Sequence, residues 1–346
     1  KNNALAAPDT GVEGQVIEET DTPEEPSEEP AEETSSGFGE QVLQAAERIA
    51  LKEAYAPNNY IPPQDPAPPR TPREKFAANI TAIRTLKSIE KRMADGGPHA
   101  NGEEQEILAQ YSGWGGLSDA FEPNKDSWHG EYTELKSLLT EEEYAAARSS
   151  TLTAFYTPPE VIDAMYTALR KMGVGAGTIL EPSMGVGAFF GQSHSYLYEP
   201  TTRLFGVELD SLTGRIARQL YQKANIQITG FEKANLPDSF FDVVIGNVPF
   251  GDYSVVDPQY NRLHFKIHDY FFAKSIDKLR TGGIIAFVTT SGTLDKKSEE
   301  VRRYINARCD FIGAVRLPDS TFKSAGTKAM ADIIFLQKRD RILEQD

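Results

Sequence analysis

Cysteine and histidine are scarce, with one cysteine and five histidines among 346 residues. The single thiol, Cys309, excludes an intramolecular disulfide and a cysteine-rich zinc site. The histidines show no metal-ligand spacing such as HExxH. They are His99, His129, His194, His264 and His268. We therefore expect no bound metal and a reducing compartment, the cytoplasm.

Long hydrophobic runs are also lacking. No run approaches the roughly 20 apolar residues that a membrane-spanning helix needs, and no secretory signal peptide opens the sequence. We therefore expect no membrane association. An initiator methionine is missing as well, which suggests a processed or excised piece of a larger protein.

Basic residues are nearly absent from the first 36 positions, which hold eleven acidic residues and one lysine. A segment such as DTPEEPSEEPAEETSS buries too little apolar surface to offset its ordering entropy. We therefore predict an acidic, disordered tail or linker over residues 1–38. Most of the net charge of −15 belongs to this tail, because residues 37–346 hold 35 basic and 40 acidic residues. The charge thus argues only weakly against nucleic-acid binding.

Helical composition dominates the next part of the chain. Residues 39–69 are predicted to form a helix and a Pro-rich connector, and residues 70–150 a helical domain. Within it, apolar residues recur every three or four positions over 75–92, which predicts an amphipathic helix with a cationic outer face. That face is either a solvated surface or a contact for DNA phosphates. Its cations are Arg84, Lys87, Lys91 and Arg92. The segment YSGWGGL, residues 111–117, implies a tight glycine turn around Trp114.

Strand-like runs alternate with helical segments from residue 151 onwards. The runs are TILEP, RLFGVEL, IQIT, FDVVIG, GGIIAFVTT, FIGAVRL and ADIIFLQ. Strands separated by helices of this length indicate a mostly parallel α/β sheet. The last two runs lie close together, which predicts a hairpin at one edge of the sheet.

Unusual residues stand where the predicted strands end, which is where doubly wound sheets bind ligands. The first strand ends at Glu181, and Gly185 and Gly187 follow in a turn that lets backbone approach a ligand. The second ends at Glu208, 21 residues beyond Gly187, where a carboxylate can accept hydrogen bonds from both ribose hydroxyls of a nucleoside. There is no GxGxxG and no GxxxxGK[ST]. These features favour a nucleoside cofactor without a phosphate chain, such as S-adenosylmethionine.

The fourth strand ends in the stretch FDVVIGNVPFGDY, residues 241–253. The amide oxygen of Asn247 and the carbonyl of Val248 are acceptors, and Pro249 fixes the backbone that aims them. Two converging acceptors suit a planar amino group with two hydrogens. Phe250 offers a face on which the ring bearing that amino group can stack. The alternative is an ordinary strand end followed by a turn.

The motifs EPSMGVGAFF, GVELD and NVPF, preceded by AFYTPPEVIDAM, resemble motifs I, II, IV and X of the γ-class N6-adenine DNA methyltransferases. With YSGWGGL ahead of them, residues 70–346 are most similar to the methylase region of large antirestriction-type methylase-helicase proteins of phages and conjugative elements. The resemblance implies a Rossmann-like α/β core in residues 151–346, seven-stranded and mostly parallel, behind an N-terminal helical domain. It also implies adenine-N6 methylation of duplex DNA by base flipping, S-adenosylmethionine as cofactor, and a helicase region of the same polypeptide as partner.

The resemblance also assigns roles to single residues. Glu208 would hold the cofactor ribose, and Glu232 or its neighbour Phe231 the cofactor adenine. The NVPF residues would hold the target base. Phe322 would be the second aromatic on that base, or alternatively a loop aromatic that covers the core. The residues around the methionine end of the cofactor would be Tyr156, Thr157, Pro158, Glu181, Ser183, Gly185 and Gly187.

Two residues depart from the family pattern. Val248 stands where the family commonly has proline, and Met184 stands where a small residue is usual. In γ-class enzymes a target-recognition domain follows the catalytic domain, whereas this sequence stops after its last strand. Sequence readout is therefore expected from the helical domain, from regions outside this sequence, or hardly at all. Three alternatives stay open: an RNA or protein-glutamine amino-group methyltransferase, a catalytically weak DNA-binding methylase module, and a piece that acts chiefly in antirestriction by marking mobile DNA.

Overall fold

The computed structural model describes residues 35–63, 70–151, 156–322 and 330–344. The chain divides into two units, Lys1–Ala50 and Leu51–Asp346. Most of the predicted acidic tail lies outside the described residues. Helix α1, Ser35–Ala54, begins four residues before the predicted boundary at residue 39, so residues 35–38 are helical. This shortens the expected extent of the tail, because residues 35–38 belong to the helix.

Four helices occupy the described part of residues 70–150. They are α2 (Pro72–Ala94), α3 (Gly102–Leu108), α4 (His129–Leu138) and α5 (Glu141–Ser150). A capping box opens α5, because the Thr140 side chain accepts from the backbone N–H of Glu143 and the Glu143 side chain accepts from that of Thr140. Such reciprocal bonds satisfy N–H groups that the helix leaves without a partner.

A seven-stranded sheet forms the remainder. Its strands are β1 (Thr178–Glu181), β2 (Arg203–Glu208), β3 (Asn225–Ile228), β4 (Phe241–Asn247), β5 (Leu279–Thr290), β6 (Cys309–Arg316) and β7 (Ala331–Lys338). Helix α6 (Pro159–Lys171) precedes β1, and the helices between the strands are α7 (Ala188–Ser193), α8 (Ser211–Leu220), α9 (Ile267–Lys278), α10 (Gly292–Asp295) and α11 (Glu300–Arg308). The strand order is β3-β2-β1-β4-β5-β7-β6, and β7 runs antiparallel to both neighbours. The predicted fold class and edge hairpin are therefore confirmed.

Side chains of successive residues in the central strands point to opposite faces of the sheet, as the pleat requires. One face carries Ile179, Val243 and Ile284 into a first core. The other carries Leu180, Val244 and Ile285 into a second core against α9 and α11. Because both faces are covered, the central strands read as continuous apolar runs.

The helices of residues 70–150 pack on the first of these cores. Leu86 and Trp114, both almost fully buried, belong to the same hydrophobic cluster as Ile179 of β1. Within the described residues this helical segment therefore shares its core with the sheet. The predicted domain boundaries at 69/70 and 150/151 stay predictions.

Candidate active site

Three predicted site residues lie at the carboxyl ends of neighbouring strands. Glu181 ends β1, Glu208 ends β2 and Asn247 ends β4. The sheet order places β1 between β2 and β4, and both pairings are parallel. The three strand ends therefore meet at one edge of the sheet, where doubly wound folds bind ligands.

The Glu208 carboxylate ties together the turns that follow β1 and β2. One oxygen accepts from the backbone N–H of Gly185 and the other from that of Asp210, each at 2.8 Å. Burial raises the pKa of Glu208 to about 7; these backbone N–H groups oppose the rise and the Asp210 charge adds to it. Each oxygen keeps a further lone pair, so the group can still accept from ribose hydroxyls.

Glu181 is a buried carboxyl group beneath this edge. The residue is 2% exposed, and burial raises the pKa of its carboxyl well above the ordinary value, with the Glu208 charge adding to the effect. Its Oε2 has no hydrogen-bond partner among the described residues. A buried acceptor without a donor is uncommon in a folded chain. It fits a site in which a cofactor supplies the missing donor.

The glycine turn between β1 and α7 is shaped by residues packed beneath it. Gly185 and Gly187 have φ of +56° and +87°, which side chains rarely adopt. A Cβ at Gly187 would lie 2.4 Å from the ring of Tyr221. Met184 is 3% exposed, and a Cβ at Gly206 would lie 2.2 Å from its sulfur. The methionine thus packs in the core where Gly206 leaves room for it.

The predicted base-binding loop follows β4 directly. The backbone carbonyl of Asn247 accepts from the Ser183 hydroxyl at 2.8 Å, and the Val248 N–H donates to the carbonyl of Val288 at 3.1 Å. The Asn247 side-chain amide has no partner among residues that the structure describes, which leaves it available for a substrate. Phe250 is half-buried and packs against both cores.

The predicted residues before α6 lie beside the glycine turn. Pro158 precedes the first residue of α6, and Thr157 is buried. A Cβ at Gly185 would lie 3.6 Å from Cε1 of Tyr156, so the tyrosine ring borders the turn. The segment before α6 and the turn after β1 are thereby brought together in the fold, while their contact with a cofactor stays a prediction.

The segment assigned to the cofactor adenine is held by α9. Phe231 is buried in the second core with its ring centroid 4.9 Å from that of Phe271. The carbonyl of Glu232 accepts from Lys274 Nζ at 3.0 Å. A Cβ at Gly230 would lie 2.2 Å from Oε1 of Glu232, so this carboxylate folds back over the glycine. Its role toward adenine stays a prediction.

The Phe322 ring is buried in the first core and is not exposed for contact with a base. It is 1% exposed and belongs to the first core cluster, and residues 323–329 after it lie outside the described part of the chain. A base could stack on this ring only if the residues that cover it moved. The proposed base contact stays a prediction.

The predicted cationic face of α2 is largely neutralised by ion pairs. Arg84 pairs with Glu134 at 2.8 Å and Lys87 with Glu143 at 3.2 Å. Arg92 makes two hydrogen bonds to the Glu104 carboxylate. Of the four cations, only Lys91 has no ion-pair partner among the described residues. The face is therefore a poorer phosphate contact than the sequence indicates, because three charges already have partners.

Sequence reasoning missed a buried ionic cluster behind the base loop. Lys274 of α9 and Tyr270 donate to the Asp257 carboxylate at 3.0 and 2.7 Å. Burial alone would raise the pKa of Asp257, yet the bonds from Tyr270 and Lys274 hold it below the ordinary value. Lys274 also donates to the Glu232 carbonyl, so it links the segment after the base loop to the adenine segment. A lysine inside the apolar run DYFFAKSI was the available signal.

The described residues contain no group of three or more His, Cys, Asp or Glu arranged to hold a metal ion. No helix among them is long and apolar enough to cross a membrane.

The sheet order, the single antiparallel strand and the carboxylates at the ends of β1 and β2 define an S-adenosylmethionine-dependent methyltransferase fold. The N-6 DNA Methylase family matches residues 138–345, and the chain belongs to that family. S-adenosylmethionine is accordingly its cofactor. The free Glu181 oxygen and the Gly185 turn fit that cofactor.

Individual relatives are more distant. Defense against restriction protein B of Escherichia phage P1 is 26% identical over 77% of this chain, which spans 10% of that protein. The Bacillus subtilis protein YtxK is 26% identical over 41% of this chain and 46% of its own length. The type I restriction-modification system methyltransferase subunit from Streptococcus thermophilus has a TM-score of 0.47 at 18% identity, covering 89% of this chain and 71% of that one. The chain thus spans less than half the length of the curated relatives it matches.

Proposed function

We propose that this chain methylates the N6 amino group of adenine in duplex DNA, with the adenine flipped out of the helix. The observation that carries the proposal is the position of Asn247. Its free side-chain amide stands at the end of β4, while its backbone carbonyl is tied by Ser183 to the turn assigned to the cofactor. An amino group held there would lie beside the cofactor cleft.

Bound S-adenosylmethionine would supply an electrophilic methyl group on a positively charged sulfur. The Asn247 amide oxygen and the Val248 carbonyl would accept the two hydrogens of the adenine amino group. Holding both hydrogens draws the nitrogen toward a tetrahedral shape and frees its lone pair for attack. The nitrogen–methyl bond would form as the sulfur–methyl bond breaks, which would leave S-adenosylhomocysteine. The alkylated nitrogen is acidic, so its extra proton would pass to solvent without a general base. Phe250 would stack against the adenine ring.

The residues of the cofactor side have complementary roles. Glu208 would accept from the ribose hydroxyls, and Glu181 would face the methionine end of the cofactor. Glu181 is buried and Glu208 is half-buried, and neither carboxyl has a lysine or arginine ion-pair partner among the described residues. Carboxyl groups with raised pKa values cluster at functional sites.

The substrate class is tested with S-adenosylmethionine labelled in its methyl group. The wild-type chain is incubated with unmethylated duplex genomic DNA, with RNA, and with a glutamine-containing peptide. We expect label in DNA alone, recovered after nuclease digestion as N6-methyldeoxyadenosine. Label confined to RNA or peptide would show one of the alternative amino-group methyltransferases, and cofactor binding with no transfer would show a catalytically weak module.

The role of Asn247 is tested by comparing Asn247→Ala with Asn124→Ala. Asn124 is an exposed turn residue in the helical segment and serves as the matched control. We expect Asn247→Ala to abolish transfer and leave cofactor binding intact, while Asn124→Ala retains both. Loss of cofactor binding in Asn247→Ala would mean that this residue is structural.

The biological setting we propose is modification of mobile-element or phage DNA, within a larger polypeptide that also carries a helicase region. Support comes from the phage relative, whose name refers to defence against restriction and of which this chain spans 10%. Sequencing methylated adenines in DNA from cells that produce the chain would locate the marked sites. In the proposed setting these sites should resist the restriction enzymes that recognise them.

A further inference from the structure

The turn in the YSGWGGL segment, residues 111–117, has a backbone conformation that its glycines and α2 fix. Gly113 and Gly116 have φ of +65° and +75°, so both adopt a backbone conformation that side chains rarely take. The fully buried amide of Asn79, on α2, accepts from the N–H of Ser112 at 2.9 Å and donates to the carbonyl of Gly113 at 2.6 Å. Lys75 donates to the carbonyl of Gly115 at 2.6 Å. The turn is therefore fixed to α2.

Gly113 of this turn faces Tyr156 of the core. A Cβ at Gly113 would lie 3.1 Å from the Tyr156 hydroxyl oxygen and 3.2 Å from Cε2. Across the same ring, a Cβ at Gly185 would lie 3.6 Å from Cε1. Two glycines thus border opposite edges of one tyrosine, the first from the helical segment and the second from the cofactor turn.

A second residue of the same turn reaches the segment after β2. Tyr111 is 2% exposed, and burial raises its pKa above the ordinary value, with the carboxylates of Asp210 and Glu208 adding to the rise. The pKa of Tyr156 is raised in the same way, by burial first and then by Tyr111, Glu208 and Asp210. The Glu208 charge therefore contributes to the electrostatic environment of both tyrosines.

We propose that Gly113 is a positioning residue of the cofactor site, which sets the place of the Tyr156 ring against the turn at Gly185. The inference rests on the assignment of S-adenosylmethionine to this cleft. It gives the YSGWGGL segment a defined role. Because Gly113 has no side chain, the turn held by α2 can pack directly against the Tyr156 ring. A Cβ atom at position 113 would lie so close to the ring that the tyrosine would have to shift by a few tenths of an ångström.

The chain offers a matched pair of substitutions for the test. Gly113→Ala and Gly116→Ala impose the same kind of backbone strain, but a Cβ at Gly116 meets no atom within 4 Å. Dissociation constants for S-adenosylmethionine are measured by calorimetry on wild type and both variants, with melting temperatures recorded alongside. We expect Gly113→Ala to weaken cofactor binding about tenfold relative to Gly116→Ala, since small misplacements in a site are costly. In the Gly113→Ala variant, Tyr156→Phe removes the hydroxyl oxygen that lies nearest to the new Cβ. It should therefore reduce the loss of cofactor affinity that Gly113→Ala causes.

Equal cofactor affinities in the two folded variants would overturn the proposal. Failure of the wild type to bind S-adenosylmethionine would instead overturn the cofactor assignment, and this inference with it. If Gly113→Ala does not fold, hydrogen exchange on the wild type decides. Cofactor should then slow exchange at residues 112–114 and leave the exposed end of α3, near Ile107, unchanged; no slowing at 112–114 would overturn the proposal.

Discussion

The hydroxyl of Ser183 donates to the backbone carbonyl of Asn247 across 2.8 Å. Ser183 belongs to the turn after β1 and Asn247 ends β4, so this bond joins the predicted cofactor and base-binding segments. The two residues are 64 positions apart in the chain. Their contact depends on the adjacency of β1 and β4 in the sheet.

Ser183→Ala tests whether this bond positions the base-binding loop. A single hydrogen bond contributes about 0.5–1.5 kcal/mol, so we expect kcat for DNA methylation to fall about two- to tenfold. The dissociation constant for cofactor should change less than kcat. Ser149→Ala is the control, because the Ser149 hydroxyl also donates to a carbonyl, but within α5. A matching loss of kcat in Ser149→Ala would contradict the assignment.

Met184 and Gly206 should be energetically coupled. Met184→Ala removes a buried side chain and should lower the free energy of unfolding by about 2–5 kcal/mol, measured by urea titration. Gly206→Ala should also destabilise the fold, because its methyl group would lie 2.2 Å from the methionine sulfur. The double variant should cost less than the sum of the single ones. Strict additivity would show that the two residues do not share this space.

Lys274→Met should lower both the stability of the fold and the activity of the site. The substitution leaves the buried Asp257 carboxylate without its cation and should cost about 3–5 kcal/mol of stability. It also releases the Glu232 carbonyl, so both cofactor affinity and methyl transfer should fall. Lys297→Met, at an exposed position, is the control. Adding Asp257→Asn should recover stability, and no recovery would mean that the ion pair is not the cause.

Glu208 should make stability depend on pH. Its pKa of about 7 in the folded chain exceeds its ordinary value of 4.5, so the folded state holds this proton more tightly than the unfolded state. The stability it contributes is therefore fully present below about pH 4.5 and is lost as the pH rises through 7, by up to about 1.4 kcal/mol per pH unit. The ionisable groups of Asp210, Glu181, Tyr111 and Tyr156 are electrostatically coupled to Glu208, so their charges influence the same titration.

The measurement is the free energy of unfolding in urea between pH 5 and pH 8. Glu208→Gln should flatten the decline relative to wild type, whereas Glu160→Gln, at an exposed position of α6, should leave it unchanged. Glu181 acts in the same direction, because burial raises its pKa too, so a residual slope is expected in Glu208→Gln. Parallel curves for wild type and Glu208→Gln would contradict the prediction.

Local patterns predicted most of the fold. All seven strands were expected from runs of apolar residues, because strands buried on both faces need continuous apolar side chains. The bounds of the short helices α7 and α11 came only from the structure, since six and nine residues give little periodicity. The start of α1 was placed four residues late, because caps and frayed turns leave weak signals.

The sequence by itself determined which residues stand at strand ends, because Glu181, Glu208 and Asn247 each close an apolar run. Only the tertiary structure decided their neighbours. It paired three cations of α2 with glutamates, buried Phe322, placed Gly113 against Tyr156, and brought Lys274 to Asp257. The physical reason is that periodicity and propensity act over a few residues, whereas burial and ion pairing depend on elements far apart in the chain that packing brings together.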